Sequence, residues 1–326
     1  MRALICDDVG SIEALRVQDR PSPVPGARQL LIDVKASSVN FPDALMVLGK
    51  YQVKPPPPFS PGCELAGIVA AVGPDVGGFS VGDRVTAIVP FGAMAEEVVV
   101  DADAALPILA AMDFATAAGF VLTYGTSYHA LVDRAKLGAN ETLLVLGAAG
   151  GVGLAAIELG KAIGAHVIAA ASSAARLALC REHGADHLID YGTQNLRERI
   201  QECTNRGGVD VVFDPVGGAY SEPALRSLRF GGRLLVVGFA AGEIPKLPLN
   251  LALLGERGIL GVLWGEWTRR DPGGYSRNLR ILGEWYRAGR LTPAITERVD
   301  LAGAIGALKR MVDRQVSGKI IVLPEL

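Results

Sequence analysis

A short bend of small residues has the composition needed to hold phosphate. It reads Leu146-Gly147-Ala148-Ala149-Gly150-Gly151-Val152-Gly153. A continuous apolar run, Thr142-Leu143-Leu144-Val145-Leu146, precedes it, and apolar residues at helical spacing over 154–163 follow it. A helix that starts straight after such a bend has amide hydrogens with no acceptor in its own backbone, and its dipole favours negative charge there. Gly150 lets the backbone approach a pyrophosphate, and Gly153 lets the helix pack closely on the strand. The first glycine of the usual dinucleotide pattern is Ala148 here, preceded by Gly147, so a bare G-x-G-x-x-G search passes over it. Ala149, Gly150, Gly151, Val152 and Gly153 are therefore expected to bind a cofactor. A ligand-free tight turn has the same residue types, but the flanking strand and helix favour the dinucleotide.

A second cluster selects which dinucleotide. NAD-binding sites place an acid about 20 residues on, at the end of the next strand, to hold the ribose hydroxyls. That place holds Ala170, Ala171, Ser172 and Ser173, with Arg176 a turn later and no acid before Glu182. A carboxylate would repel a 2′-phosphate, whereas hydroxyls and a guanidinium bind one. NADP(H) is expected on that ground. A plain helix cap at Ser172 or Ser173 and a solvated Arg176 fit the same residues.

These residues need elements to position them. The middle of the chain alternates buried strands with helices. The runs at 142–146, 166–171, 209–213, 233–237 and 259–263 are apolar, as in a parallel sheet covered on both faces. Ser172 or Ser173 begins a helix through Cys180, and Gly184 closes it. This alternation predicts an α/β, doubly wound Rossmann sheet. The first 115 or so residues read instead as short strands at 30–35 and 67–72, with turns at Gly73-Pro74, Gly77-Gly78 and Gly82-Asp83. Pro55 to Pro58 form a stiff surface segment. The tail shows helical patterns at 278–288 and 302–312 and a strand at 318–323. The cofactor domain, 119–265, is thus expected to interrupt a β-rich catalytic domain made of 1–118 and 266–326.

Composition sets outer bounds. With 326 residues, half of them hydrophobic, the chain can build two cores. Its 32 basic and 34 acidic residues leave a formal charge of -2, which argues against nucleic acid and anionic membrane surfaces as partners. Cys6, Cys63, Cys180 and Cys203 form no CxxC pair, so neither a disulfide framework nor a zinc finger is expected. No signal-peptide pattern opens the chain, and the most apolar stretch, 143–157, is glycine-broken and too short to span a bilayer. A cytoplasmic setting is expected. The apolar sheet edge near 234–238 and 259–263 invites pairing with another subunit. His129 lies in a helical stretch and is expected to be packed, and His166 starts a strand and is expected to be partly exposed.

Several segments resemble one family. They are Ser37-Ser38-Val39-Asn40-Phe41-Pro42-Asp43 with Gly49 and Tyr51, Phe59-Ser60-Pro61-Gly62-Cys63-Glu64-Leu65-Ala66-Gly67, and Val81-Gly82-Asp83-Arg84-Val85. Thr123-Tyr124-Gly125-Thr126, the glycine bend, Asp214-Pro215-Val216-Gly217-Gly218 and Ser317-Gly318-Lys319 continue the series. In this order they resemble the zinc-independent quinone oxidoreductases, the zeta-crystallin-like branch of the medium-chain dehydrogenase/reductase superfamily. The resemblance covers essentially the whole chain.

It implies a GroES-like catalytic domain beside the Rossmann domain, and a homodimer. It implies NADPH as cofactor, with Tyr191 near the 2′-phosphate beside Ser172, Ser173 and Arg176, and with Gly238, Phe239 and Lys319 among the cofactor residues. Zinc-dependent relatives carry Cys where Asn40 stands and His where Cys63 stands, so no metal site is expected. Without a metal the acceptor must take hydride readily, as a quinone or a carbonyl-conjugated alkene does. Neutral donors must then stabilise the charge on its oxygen. Asn40 and Tyr51 are the candidates, with Asp43 orienting their loop and Thr123 facing the nicotinamide. Plain structural roles for these residues, such as loop amide satisfaction by Asn40 and helix capping by Asp43, stay open. Leu45 and Val47 stand where relatives have Tyr and Arg, which implies a less polar pocket. Quinone reduction, enoyl reduction and an NADPH-binding protein with little turnover are the readings that remain.

Overall fold

A computed structural model describes residues 1–326, and the chain divides into two compact units. The first contains Met1–Leu122 and Ile295–Leu326, and the second Thr123–Ala294.

The first unit is built on a seven-stranded sheet. Its order is Ile295–Val299, Lys319–Val322, Gln29–Ser38, Glu64–Val72, Arg84–Ile88 and Ala105–Pro107, with Glu97–Asp101 also pairing with Gln29–Ser38. Only the Ile295–Val299 and Lys319–Val322 pair is parallel. Along Gln29–Ser38 burial alternates, with Leu30, Ile32, Val34 and Ala36 inward, the two-residue period of a strand with one face on a core. A separate core gathers Leu4, Leu15, Met46, Val47 and Phe59 from the early chain with Leu301, Leu308, Ile320 and Val322 from the late chain. The C-terminal segment therefore completes this unit. The helix Phe41–Val47, which follows Gln29–Ser38, carries Pro42 in its first turn.

The second unit is the doubly wound sheet expected from the apolar runs. Its six strands are parallel in the order His187–Asp190, His166–Ala171, Thr142–Leu146, Val209–Asp214, Leu228–Val236 and Gly258–Gly261. The order reverses direction at Thr142–Leu146, which is the strand that feeds the glycine bend, and ligands of such sheets bind beyond the strand ends at this switch.

Residues 266–294 depart from the expected division. They belong with the second unit, not with the β-rich one. The helices Trp264–Arg270 and Pro272–Arg287 pack back onto the 123–134 stretch. The His129 ring stacks on Trp267 at 4.2 Å between centroids. Asn278 Nδ2 donates to Asp133 Oδ2 at 2.7 Å, and the same oxygen lies 2.8 Å from His129 Nδ1. His129 is buried, as expected, and His166 is exposed. Past the helices, the Thr292 amide donates to the buried Glu158 carboxylate at 2.9 Å. No helix is long and apolar enough to cross a membrane.

Candidate active site

In the second unit the bend is held by its own backbone. The Ala148 amide donates to Ala170 O at 3.1 Å, and the Gly150 amide to Gly147 O at 3.0 Å. Gly147 has φ +56°, a left-handed conformation natural to glycine, and a Cβ there would lie 2.7 Å from Val216 Cγ2. Gly150 caps the helix Gly151–Ile163, whose first amides are left open at the sheet's carboxyl edge. A Cβ on Gly153 would come within 2.6 Å of both Gly147 O and Ala148 O, so only glycine allows this approach of helix to bend.

The second cluster assembles beside it. Ser172 follows the strand His166–Ala171, and Ser173 is the N-cap of the helix Ala174–Glu182, accepting from the Arg176 amide at 3.4 Å. The Arg176 guanidinium reaches back to Ser172 Oγ at 2.7 Å. The Tyr191 amide donates to Ala171 O at 3.0 Å, and the Tyr191 ring leans on Tyr220 at 4.4 Å between centroids. Ser172, Ser173, Arg176 and Tyr191 therefore share one end of the sheet. Asp190, the nearest acid in the adjoining strand, turns Oδ1 onto the Gly192 amide at 2.9 Å. Gly238 and Phe239 follow the strand Leu228–Val236. The Gly238 amide donates to Asp214 O at 3.3 Å, and Phe239 packs against Gly217. The buried Asp214 carboxylate shapes that loop by accepting from the Val216 and Gly217 amides at 2.9 and 2.8 Å.

In the first unit the expected donors fall into a buried polar network. Asn40 caps the helix Phe41–Val47, and its amide nitrogen in the backbone donates to Asp43 Oδ2 at 2.7 Å. Its side-chain Nδ2 donates to Ser38 Oγ at 2.9 Å and lies 3.3 Å from Ser38 O. Its Oδ1 accepts from Lys319 Nζ at 2.6 Å. Ser38 Oγ donates to Glu64 Oε2 at 2.7 Å and accepts from Lys319 at 3.0 Å. Glu64 Oε1 takes the Leu122 amide at 2.8 Å. The Asn40 side chain is thus engaged by Ser38 and Lys319 and not by loop amides, and Lys319, expected at the cofactor, directs its ammonium into this network.

Asp43 is fully buried, its Oδ1 has no hydrogen-bond partner, and the Cys63 thiol lies against the carboxyl. Burial pushes the Asp43 carboxyl up to about 7 despite the Asn40 amide, the thiol and Lys319 nearby. Burial, with Asp43 and Glu64 beside it, holds the Cys63 thiol well above its ordinary range. Tyr51 is half-buried against this unit's core. Burial first, and then Cys63 and Asp43, raise its phenol, so it keeps its proton and remains a hydrogen-bond donor. Thr123 is buried on the helix Phe114–Tyr128. Val47, expected to line a pocket, is fully buried in the core, while Leu45 is only half-buried. Sequence reasoning overlooked Glu64 and Ser38. The available signal was a charge at each strand start, Glu64 and Lys319, ahead of apolar residues.

Two family models match the chain: an alcohol dehydrogenase GroES-like domain over residues 26–110 and a zinc-binding dehydrogenase over 151–277. A quinone oxidoreductase-like protein 2 homolog from Nematostella vectensis is 34% identical over 98% of this chain and 88% of its own. The Escherichia coli quinone oxidoreductase, solved with NADPH, superposes with a TM-score of 0.91 at 27% identity over 99% of this chain and all of that one. The CurK enoyl reductase superposes with a TM-score of 0.89 at 25% identity over 99% and 98% of the two chains. The second family description names zinc, and the residues here do not fit it. No three His, Cys, Asp or Glu side chains converge as a ligand set. The Asn40 side chain is taken up by Ser38 and Lys319, and the Lys319 ammonium already supplies the cation beside Glu64.

Proposed function

The chain belongs to the zinc-independent quinone oxidoreductase branch of the medium-chain dehydrogenase/reductase superfamily, and on that premise we propose that it is an NADPH-dependent reductase that delivers hydride to a quinone. The observation that carries this reading is the pairing of an open helix start at Gly150 to Gly153 with Ser172, Ser173 and Arg176 in place of an acid. Amides there suit a pyrophosphate, and the hydroxyl–guanidinium pair suits a 2′-phosphate. The likeness to a quinone oxidoreductase solved with NADPH supports the same cofactor.

Bound NADPH supplies the hydride. What the chain adds is orientation and charge stabilisation. Tyr191, Gly238 and Phe239 would help to hold the cofactor, and Thr123 would orient its nicotinamide. As hydride arrives, negative charge grows on the acceptor's carbonyl oxygen. The Tyr51 phenol, whose burial keeps it protonated, donates a hydrogen bond to that oxygen. Asn40 and Asp43 hold the start of the helix Phe41–Val47, and so the loop carrying Tyr51, in register.

A second reading, reduction of an alkene conjugated to a carbonyl, is favoured by the likeness to an enoyl reductase. Both chemistries need a donor beside a carbonyl. NADPH oxidation measured at steady state against 1,4-benzoquinones, enones, enals and enoyl thioesters separates them. Quinone reduction requires kcat/KM to be highest with the benzoquinones, and a clear preference for any of the others replaces it with the second reading. The sheet's last strand, Gly258–Gly261, has no neighbour on its far side, and Leu263 just beyond is exposed. We assign this edge to contact with a second copy of the chain, and sedimentation velocity showing a monomer at micromolar concentration would remove that assignment.

A further inference from the structure

The Lys319 side chain is a charged group with almost no access to water: the residue is 5% exposed. It lies on the C-terminal strand Lys319–Val322, which runs antiparallel to Gln29–Ser38 with Ile321 opposite Ser38. Its stem runs over Gly119, where even a lone Cβ would stand 3.5 Å from Lys319 Cε. The ammonium faces three acceptors: Asn40 Oδ1 at 2.6 Å, Ser38 Oγ at 3.0 Å and Glu64 Oε2 at 3.5 Å.

The donors and acceptors of this network admit one arrangement. An ammonium has only hydrogens to offer, so the Asn40 atom facing it must be the carbonyl oxygen. Ser38 has one hydroxyl hydrogen, and the Glu64 carboxylate, which only accepts, takes it. The Ser38 oxygen must then accept from both Lys319 and Asn40 Nδ2, which is how they lie. Asn40 is thereby fixed in amide sense as well as in place, and its backbone amide fixes Asp43.

We propose that Lys319 is a positioning residue of the acceptor pocket, its buried ammonium holding the Asn40 side-chain amide in one sense and so the start of the helix that precedes Tyr51. The contacts stand on the structure alone, while the link to catalysis rests on the functional reading above. A role confined to balancing the Glu64 charge makes a different prediction. A buried pair is costly to break by removing one partner, but replacing both by neutral groups of like shape is tolerated. The double variant Glu64→Gln/Lys319→Met therefore keeps charge balance and abolishes the hold on Asn40.

The experiment compares wild type, this double variant, Lys319→Arg and Asn40→Asp. The readouts are thermal stability, the NADPH dissociation constant, kcat and KM for a benzoquinone, and the Asn40 side-chain amide signal in a nitrogen-15 spectrum. Asn40→Asp identifies that signal by its loss. Lys319→Arg keeps the charge should the double variant fail to fold. We expect the folded variants to bind NADPH within about twofold of wild type. We expect kcat to fall about ten- to a hundredfold, as misplacement of an active-site loop does. The Asn40 amide signal should shift and lose its protection from solvent exchange. Wild-type kcat with an unchanged amide signal in the double variant overturns the proposal, and so does Lys319→Arg with a shifted amide signal but wild-type kcat. So does a loss confined to NADPH affinity, which would return Lys319 to the cofactor. If wild type itself turns over no acceptor, the functional reading fails, and the amide signal alone decides whether Lys319 positions Asn40.

Discussion

Tyr51 and Asp43 sit in one buried neighbourhood but hold their protons for different work. The Tyr51 phenol stays neutral because burial and the nearby Cys63 and Asp43 disfavour its anion. Tyr51→Phe retains the ring against the core and removes the donor. It should lower kcat about a hundredfold, the cost of deleting one donor to a developing oxyanion, with the NADPH dissociation constant unchanged in a fluorescence titration. Asp43 carries a pH consequence instead. Its carboxyl ionises near 3.8 when exposed and near 7 when folded, chiefly because burial penalises the anion. Across that window the folded protein keeps a proton that the unfolded chain has lost, so stability falls as pH rises and levels off above the folded value. The slope is at most about 1.4 kcal/mol per pH unit. Asp43→Asn keeps an oxygen for the Asn40 amide and removes the titration. Melting temperatures of this variant, measured by circular dichroism from acid to neutral pH, should lose that decline. A decline as steep as wild type would place the titrating group elsewhere. The family resemblance of the 37–51 segment nominated Asn40, Asp43 and Tyr51, yet it left Asn40 either a donor to substrate or a satisfied loop residue. That choice depends on where Lys319, 279 residues further on, places its ammonium, and spacing carries no such information.

At the scale of elements, the strand, bend and helix at 142–163 form a unit that local sequence describes well. Continuous apolar residues mark a strand buried on both faces, and the glycines mark the bend because a side chain would collide there. Gly153→Ala tests the closest of these approaches, since its methyl would meet two carbonyl oxygens at 2.6 Å. It should cost about 1–3 kcal/mol in urea unfolding and weaken NADPH binding as the helix start moves off the bend. The cap at Ser173 and the reach of Arg176 to Ser172 make a separate device at the next strand. Arg176→Ala should raise the NADPH dissociation constant about 10- to 100-fold, the loss of one charged hydrogen bond, and leave NADH affinity unchanged. Equal losses for both nucleotides would detach Arg176 from the 2′-phosphate. Less legible was Phe41–Val47, a helix of 7 residues with Pro42 in its first turn, too short to show a period against the surrounding strands.

On the whole-molecule scale the division of the chain was half legible. The change from turn-rich to strand–helix alternation marks the entry into the second unit within a few residues of Thr123. The exit was placed too early, at 265, because the helical pattern near 278–288 shows an apolar stripe without showing what that stripe meets. Trp285 there meets Tyr128 and Asn278 meets Asp133, while Trp267 on the preceding helix stacks on His129, all more than a hundred residues earlier. An excised segment 123–294 should therefore melt cooperatively and bind NADPH. A segment 119–265, stripped of the helices that cover His129, should aggregate or melt without a transition. Equal behaviour of the two in calorimetry would show that residues 266–294 are dispensable to the cofactor unit.

The first unit is closed by the last strand of the chain, and this orders events during translation. When the ribosome has released residues through 294, every strand of the dinucleotide sheet is in hand. The β-rich half then still lacks Leu308, Ile320 and Val322 from its core and the Lys319 ammonium from its network. A nascent chain would thus have its coenzyme fold complete while Glu64, deep in the other half, awaits its counter-charge, and premature stop codons near the end should leave a coenzyme binder with no competent acceptor pocket.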